Sequence, residues 1–170
     1  MTVRTLLLMR HAKSDYPQGV ADHARPLAPR GVREAGLAGD WLRAHAPAID
    51  AVLCSTAVRT RETLARTGVT APVEFRDRIY DATPGTVIDE INRVQSHFDD
   101  EVGTLLVIGH EPAMSAVALG LANPGDSDAA AVERISVKYP TSAIAVLRTD
   151  AVWADLALGG AALIAFQVPR

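Results

Sequence analysis

Apolar and polar positions alternate in blocks along this chain. Residues 3–9 form a nearly unbroken apolar run, the pattern of a strand buried on both faces. A polar loop follows. Pro29 then opens a helix to about residue 46, with Leu37, Ala38, Trp41 and Leu42 on one face. Residues 51–54 read as a second short strand, and 57–67 as a helix stopped by Gly68. Residues 73–75 make a third strand. Thr83 and Pro84 read as the N-cap and first residue of a helix on which Val87, Ile88, Ile91, Val94 and Phe98 recur at helical spacing. A strand over 104–108, a helix over 112–121 and a Gly/Asp/Ala-rich loop over 122–133 come next. Late strands are expected over 142–147 and 161–168, joined through a third near 152–156. The alternation predicts a mostly parallel sheet with helices on both faces. The late strands, with little helix between them, predict an antiparallel edge. No repeat, low-complexity tract or boundary interrupts the pattern, so residues 1–170 read as one domain.

Composition narrows the function classes. Apolar residues are 48% and charged residues 22% of the chain, as in soluble globular proteins. A net charge of -3 argues against a nucleic-acid partner held by phosphate neutralisation. No apolar run approaches the ~20 residues of a membrane span. The N-terminal apolar run is too short for a signal peptide and lacks a small-residue cleavage site. Cys54 is the single cysteine and has no internal disulfide partner. That fits a reducing, cytoplasmic location.

The candidate chemistry sits where strands end, the place where open α/β sheets bind ligands. The first strand ends in Arg10-His11, the second in Ser55-Thr56 with Arg59 one helical turn on, and the fourth in Gly109-His110-Glu111-Pro112. Taken singly, these are a strand-end arginine, two structural histidines and a solvated helix arginine. Together they put two arginines and two histidines on one rim. With Thr56 as the helix cap, Arg59 and Arg61 oppose the helix dipole. A bound phosphate resolves that conflict, because a helix N-terminus with an arginine is an anion site. An imidazole beside such a site is a nucleophile when neutral, and nearby cations keep it so. The same cations stabilise charge on a transferring phosphoryl group, so no metal or other cofactor is required. Cys54 is rejected as a cysteine-phosphatase nucleophile. Four residues separate it from Arg59 where that signature has five, and it ends an apolar strand. His45 and His97 fall in helices away from the strand ends. Asp15, Tyr16 and Arg25 share the loop after the first motif and are placed to touch the rest of a substrate, whereas His23 in the same loop reads as a solvated histidine and Lys13 as a loop lysine.

Leu8-Met-Arg-His-Ala12 resembles the R-H-G motif of the histidine phosphatase superfamily. Ser55-Thr-Ala-Val-Arg59-x-x-x-Thr63 is similar to its S-x-x-x-R-x-x-x-T segment, and Gly109-His110 to its later G-H motif. The loop from Arg25 to Gly31 and the small size resemble the branch of SixA-like phosphohistidine phosphatases. The resemblance implies a three-layer α/β/α sandwich. It also implies His11 as the phosphorylated nucleophile, and Arg10, Arg59 and His110 completing the phosphate pocket. Ser55 and Arg25 are further substrate-binding candidates. Ala12 replaces the usual glycine, and Ala28 stands where threonine is frequent.

A clear general acid is missing, the candidates being Asp81 and Glu111. Asp81 also reads as a turn residue before Thr83, and Glu111 as a complement to a helix dipole. A protonated imidazole leaves without the help that an alkoxide needs. The favoured expectation is therefore a phosphatase acting on protein phosphohistidine through a phosphohistidine intermediate. Small phosphate esters or nucleotide-derived phosphates are the alternative substrates. A non-catalytic phosphate-binding module is the third reading. The expected partner is a phosphorylated protein or small phosphate substrate, and oligomeric state is left open.

Overall fold

The first strand, β1 (Arg4–Arg10), takes its place because Leu6 to Met9 have no reason to face water on either side, and all four are almost wholly buried. In this computed structural model, which describes residues 2–170, β1 lies inside one six-stranded sheet. The other strands are β2 (Ala51–Ser55), β3 (Val73–Arg76), β4 (Thr104–Gly109), β5 (Ile144–Thr149) and β6 (Ala162–Gln167). The helices are α1 (Pro29–His45), α2 (Val58–Thr67), α3 (Pro84–Asn92), α4 (Ala113–Leu121) and α5 (Ala129–Val137). The sheet order is β3-β2-β4-β1-β5-β6. Pairs β2/β3, β2/β4 and β1/β4 are parallel, whereas β1/β5 and β5/β6 are antiparallel. The mostly parallel sheet and the antiparallel edge agree with the hydrophobic pattern.

Alternate residues of each strand feed two cores. Leu6, Leu8, Leu53, Leu105 and Val107 pack with Val87 and Ile91 of α3, Met114 and Val117 of α4, and Ile135 of α5. Leu7, Met9, Val52, Leu106 and Ile108 pack on the other face with Ala38 and Leu42 of α1 and Leu64 of α2. The result is the α/β/α sandwich. Among the described residues no helix is long and apolar enough to cross a membrane.

Four local expectations change. The loop expected over 122–133 gives way to α5, whose N-cap Asp128 accepts the Ala131 N–H at 3.0 Å. The helical spacing through Val94 and Phe98 is not one helix. Arg93 leaves helical geometry, and a 3₁₀ turn, Val94–His97, follows. The strand expected near 152–156 is a 3₁₀ turn, Trp153–Asp155, pinned by Trp153 Nε1–H to the Val102 carbonyl at 2.6 Å and by Asn92 Nδ2 to the Trp153 carbonyl at 2.7 Å. Finally, α2 is capped by Ala57 with no side-chain bond, because Thr56 gives its hydroxyl to Asp77 instead, at 2.6 Å. Thr83 does cap α3, accepting from Thr86 N–H, and Gly68 ends α2 in the left-handed conformation, with φ 74°.

Candidate active site

The carboxyl ends of β1, β2 and β4 lie side by side, and each delivers part of the site. Arg10 is the register partner of Gly109, so His11 and His110 are the next residues of two adjacent parallel strands. The loop after β1 is locked from several directions. His11 N–H bonds the Gly109 carbonyl at 3.0 Å, Arg10 N–H bonds the Ala143 carbonyl at 3.0 Å, and Ser142 N–H reaches the Arg10 and His11 carbonyls. Thr63 on α2 accepts the Ala12 N–H at 3.0 Å and donates to the Arg59 carbonyl at 2.6 Å. The serine-to-threonine spacing thus has a mechanical meaning: Thr63 fastens the helix that carries Arg59 to the loop that carries His11.

A cleft of about 220 Å³ opens over these residues, lined by Arg10, His11, Lys13, Arg25, Arg59 and His110 among others. Arg59 is only 6% exposed, which removes the reading of a solvated helix residue. Its Nη1 donates to the Asp22 carbonyl at 2.7 Å and its Nη2 to Asp22 Oδ2 at 3.1 Å. Arg10 Nη1 donates to the Tyr139 carbonyl at 2.9 Å. The Nε atoms of both arginines are buried without a partner. Burial lowers the Arg10 pKa from its ordinary value, yet a guanidinium stays charged at any working pH. A pocket with two such cations and a nucleophile-bearing strand end suits a tetrahedral oxyanion such as a phosphoryl group.

Both histidines are buried and held neutral. His11 lies 2.7 Å through Nδ1 from the Ala12 carbonyl. A carbonyl only accepts, so Nδ1 carries the proton and Nε2 keeps its lone pair. Burial first, then His110, Arg59 and Arg10, push the His11 pKa down to about 3 against the pull of that hydrogen bond. His110 falls to about 4, again by burial and then by Arg59. His110 Nε2 meets Ser55 Oγ at 2.8 Å, and its Nδ1 is buried without a partner.

The other expected residues divide. Arg25 lines the cleft, donating to Asp22 Oδ1 at 3.1 Å and Ser14 Oγ at 2.7 Å, with its guanidinium 4.1 Å from the Tyr16 ring centre. Lys13 and Tyr16 also line it. Ser55 is fully buried beneath His110 and is not part of the cleft wall. Asp15 and His23 do not line the cleft, and His23 bonds Thr56 at 3.0 Å. Glu111, which precedes the N-cap Pro112 and also lines the cleft, takes the Ser115 N–H in the first turn of α4 at 2.6 Å and the Ser115 hydroxyl at 2.7 Å. Asp81 sits at positive φ, 54°, on the wall of an adjoining pocket of about 130 Å³ that also includes Arg59, Tyr80 and His110. Cys54 is buried with its thiol pushed up to about 12, the state of an inert core cysteine.

Three side chains at the site had no expected role. Asp22 holds Arg59. Tyr80 donates its hydroxyl to Asp22 Oδ2 at 2.6 Å and packs edge-on to His110 at 5.6 Å. Tyr139 donates to the Leu8 carbonyl inside the sheet. A buried arginine needs a counter-charge, but that argument does not say which acidic residue supplies it; the fold brings Asp22 to Arg59.

Comparison with known proteins agrees with the geometry. The sequence model of the histidine phosphatase superfamily (branch 1) matches residues 6–106. A Mycobacterium tuberculosis protein is 64% identical over 95% of this chain and 100% of its own length. A Mycobacterium leprae protein is 56% identical, again over 95% of this chain and the whole of its own. Among solved structures, a candidate phosphohistidine phosphatase SixA from Nakamurella multipartitia superposes with a TM-score of 0.87 at 41% identity, covering 99% of this chain and 98% of that one. The protein histidine phosphatase SixA in complex with tungstate shares the fold, with a TM-score of 0.75 at 24% identity over 97% of each chain.

Proposed function

The chain belongs to the histidine phosphatase superfamily and is a phosphatase, and from that premise we propose that His11 is its nucleophile and protein phosphohistidine its favoured substrate. The observation that carries the reading is the His11 ring, neutral and protonated on Nδ1 by its bond to the Ala12 carbonyl. That leaves Nε2 to attack phosphorus. In the first step the Nε2–P bond forms and the bond from phosphorus to the leaving nitrogen breaks. Its electron pair goes to the departing imidazole, which already bears a proton. The His11 ring gains positive charge as it is phosphorylated, and the Ala12 carbonyl stabilises it through Nδ1–H. In the second step water attacks phosphorus, the P–Nε2 bond breaks with its pair returning to His11, and inorganic phosphate leaves. Arg10, Arg59 and His110 stabilise the equatorial oxygens in both steps. Arg25 and Lys13 line the outer cleft where the rest of the substrate would lie.

The substrate preference is supported by three things. Glu111 lines the cleft, but both its carboxylate oxygens accept from Ser115, which favours the charged acceptor over the protonated acid that an ester's leaving group needs. A protonated imidazole leaves without an acid. The 41% identical relative is itself a candidate phosphohistidine phosphatase. The lone buried cysteine supports action in a reducing cytoplasm. One observation favours small phosphate esters as a second substrate class: Asp81 shares the adjoining pocket with His110, where a protonated carboxyl would serve an alkoxide.

The test is chemical trapping. The protein is mixed with a labelled phosphohistidine protein or an aryl phosphate, quenched in base, and the label mapped. A base-stable, acid-labile label on His11, absent in His11→Ala, is the expected result. Full turnover by His11→Ala overturns the mechanism. Phosphate binding with neither label nor release moves the reading to a binding module.

A further inference from the structure

We propose that Asp22 is a positioning residue for phosphate recognition, holding the Arg59 fork and the Tyr80 ring in register with the two histidines; this rests on the reading of Arg59 as a phosphate ligand. Asp22 lies in a one-turn 3₁₀ helix, Asp22–Ala24, in the loop between β1 and α1. It gathers groups from three segments. Arg59 of α2 gives one N–H to the Asp22 carbonyl at 2.7 Å and one to Oδ2 at 3.1 Å. Tyr80, after β3, gives its hydroxyl to the same Oδ2 at 2.6 Å. Arg25, in the loop itself, bonds Oδ1 at 3.1 Å.

A guanidinium is a rigid planar fork with five N–H bonds. With one hydrogen from each terminal nitrogen spent on Asp22, rotation of the fork breaks both bonds at once. The other hydrogens then have a fixed direction. Tyr80 carries the effect further, because its ring stands edge-on to His110 at 5.6 Å. The Tyr80 hydroxyl first, and then Arg25 and Arg59, hold the Asp22 carboxyl well below the usual range, so it is charged at every working pH. The carboxylate is itself 56% exposed while Arg59 is buried. The exposed partner therefore fixes the buried one.

The two roles open to a carboxylate here have opposite signs. A mere negative charge beside an anion site repels phosphate, so removing it tightens binding. A positioning group does the reverse, because a guanidinium left with only the Asp22 backbone carbonyl is free to turn out of its pre-set geometry. The experiment titrates inorganic phosphate into the wild type, Asp22→Asn, Asp22→Ala and Tyr80→Phe by calorimetry. Turnover of an aryl phosphate is followed in parallel. Phosphate affinity is expected to fall roughly tenfold in Asp22→Ala, the scale of a lost charge-assisted hydrogen bond. Asp22→Asn should lose less, since it keeps an acceptor, and Tyr80→Phe should move the same way by less again. In an Arg59→Lys background, which has no fork to hold, Asp22→Ala should add little. Tighter or unchanged phosphate binding in a folded Asp22→Ala, or additive losses in the double variant, overturns the proposal. Should Asp22→Ala fail to fold, Tyr80→Phe decides it, unchanged phosphate affinity there counting against. A wild type that binds phosphate but turns over no substrate would defeat the phosphatase reading alone, and the binding titration would still settle Asp22.

Discussion

The rings of His11 and His110 lie 5.2 Å apart, centre to centre, and are tilted by 55°. Neither is placed by a flexible loop of its own. Each follows directly the last residue of a strand, and those last residues are register partners. The pair is therefore as well fixed as the sheet, and its surroundings make it measurable.

Both rings should be silent to pH where ordinary histidines titrate. With pKa values of about 3 and about 4, the ring proton signals of His11 and His110 should hold their neutral positions from pH 8 to pH 5. A histidine at its ordinary value, near 6.5, shifts through that range. A midpoint near 6.5 for His11 would mean that it is not sealed by burial as described.

The same pKa values set the direction of acid stability. An unfolded imidazole takes up its proton near pH 6.5, while these folded ones wait until about 3 and about 4. Between those limits the unfolded chain binds more protons, so stability falls as pH drops below 6.5. Each ring adds a slope of at most about 1.4 kcal/mol per pH unit. Chemical denaturation at pH 7 and pH 4.5 should show His110→Asn losing less on acidification than the wild type.

Gly31→Ala should weaken the join between α1 and the nucleophile loop. A Cβ at Gly31 would fall on the backbone carbonyl of Lys13, which already accepts the Ala28 N–H at 2.9 Å. Backbone cannot move aside as a side chain can, so a loss of about 1–3 kcal/mol is expected. Activity should drop with it, because Lys13 is two residues from His11. Thermal unfolding and turnover of the one variant test both.

The two carboxylates near His110 should separate. Glu111→Ala removes both acceptors that hold Ser115 at the start of α4, so about 1 kcal/mol of stability should go while turnover of phosphohistidine changes little. Asp81→Asn should leave stability nearly intact and reduce hydrolysis of a small phosphate ester more than that of phosphohistidine. Equal loss on both substrates in Asp81→Asn would remove the leaving-group argument.

Strand ends were easy to read because the apolar runs that precede them are unbroken and buried on both faces. Arg10, His11, Arg59 and His110 follow from that, together with the spacing of three short motifs. The α5 helix was hidden because only Ala131 and Ile135 are buried on it, too few for a clear stripe. The turn at Trp153 resembled a strand because its apolar residues are consecutive, while its true shape depends on Asn92 and Val102 far away in sequence. Thr56 looked like a cap because threonine favours that position, but Asp77 offers its hydroxyl a charged partner. Asp22 was invisible for the same reason: a loop aspartate announces nothing until the chain brings Arg59 and Tyr80 to it.

The pairing of β1 with β4 joins residue 10 to residue 109, and β5 then covers the other side of β1 from residue 144 onward. A ribosome that has made every one of Arg10, His11, Arg59 and His110 has not yet made the strand that supports them. Contacts so distant in sequence form late and together. Catalysis should accordingly switch on as a single event once β5 has been made and has paired with β1, with no partly active fragment before it.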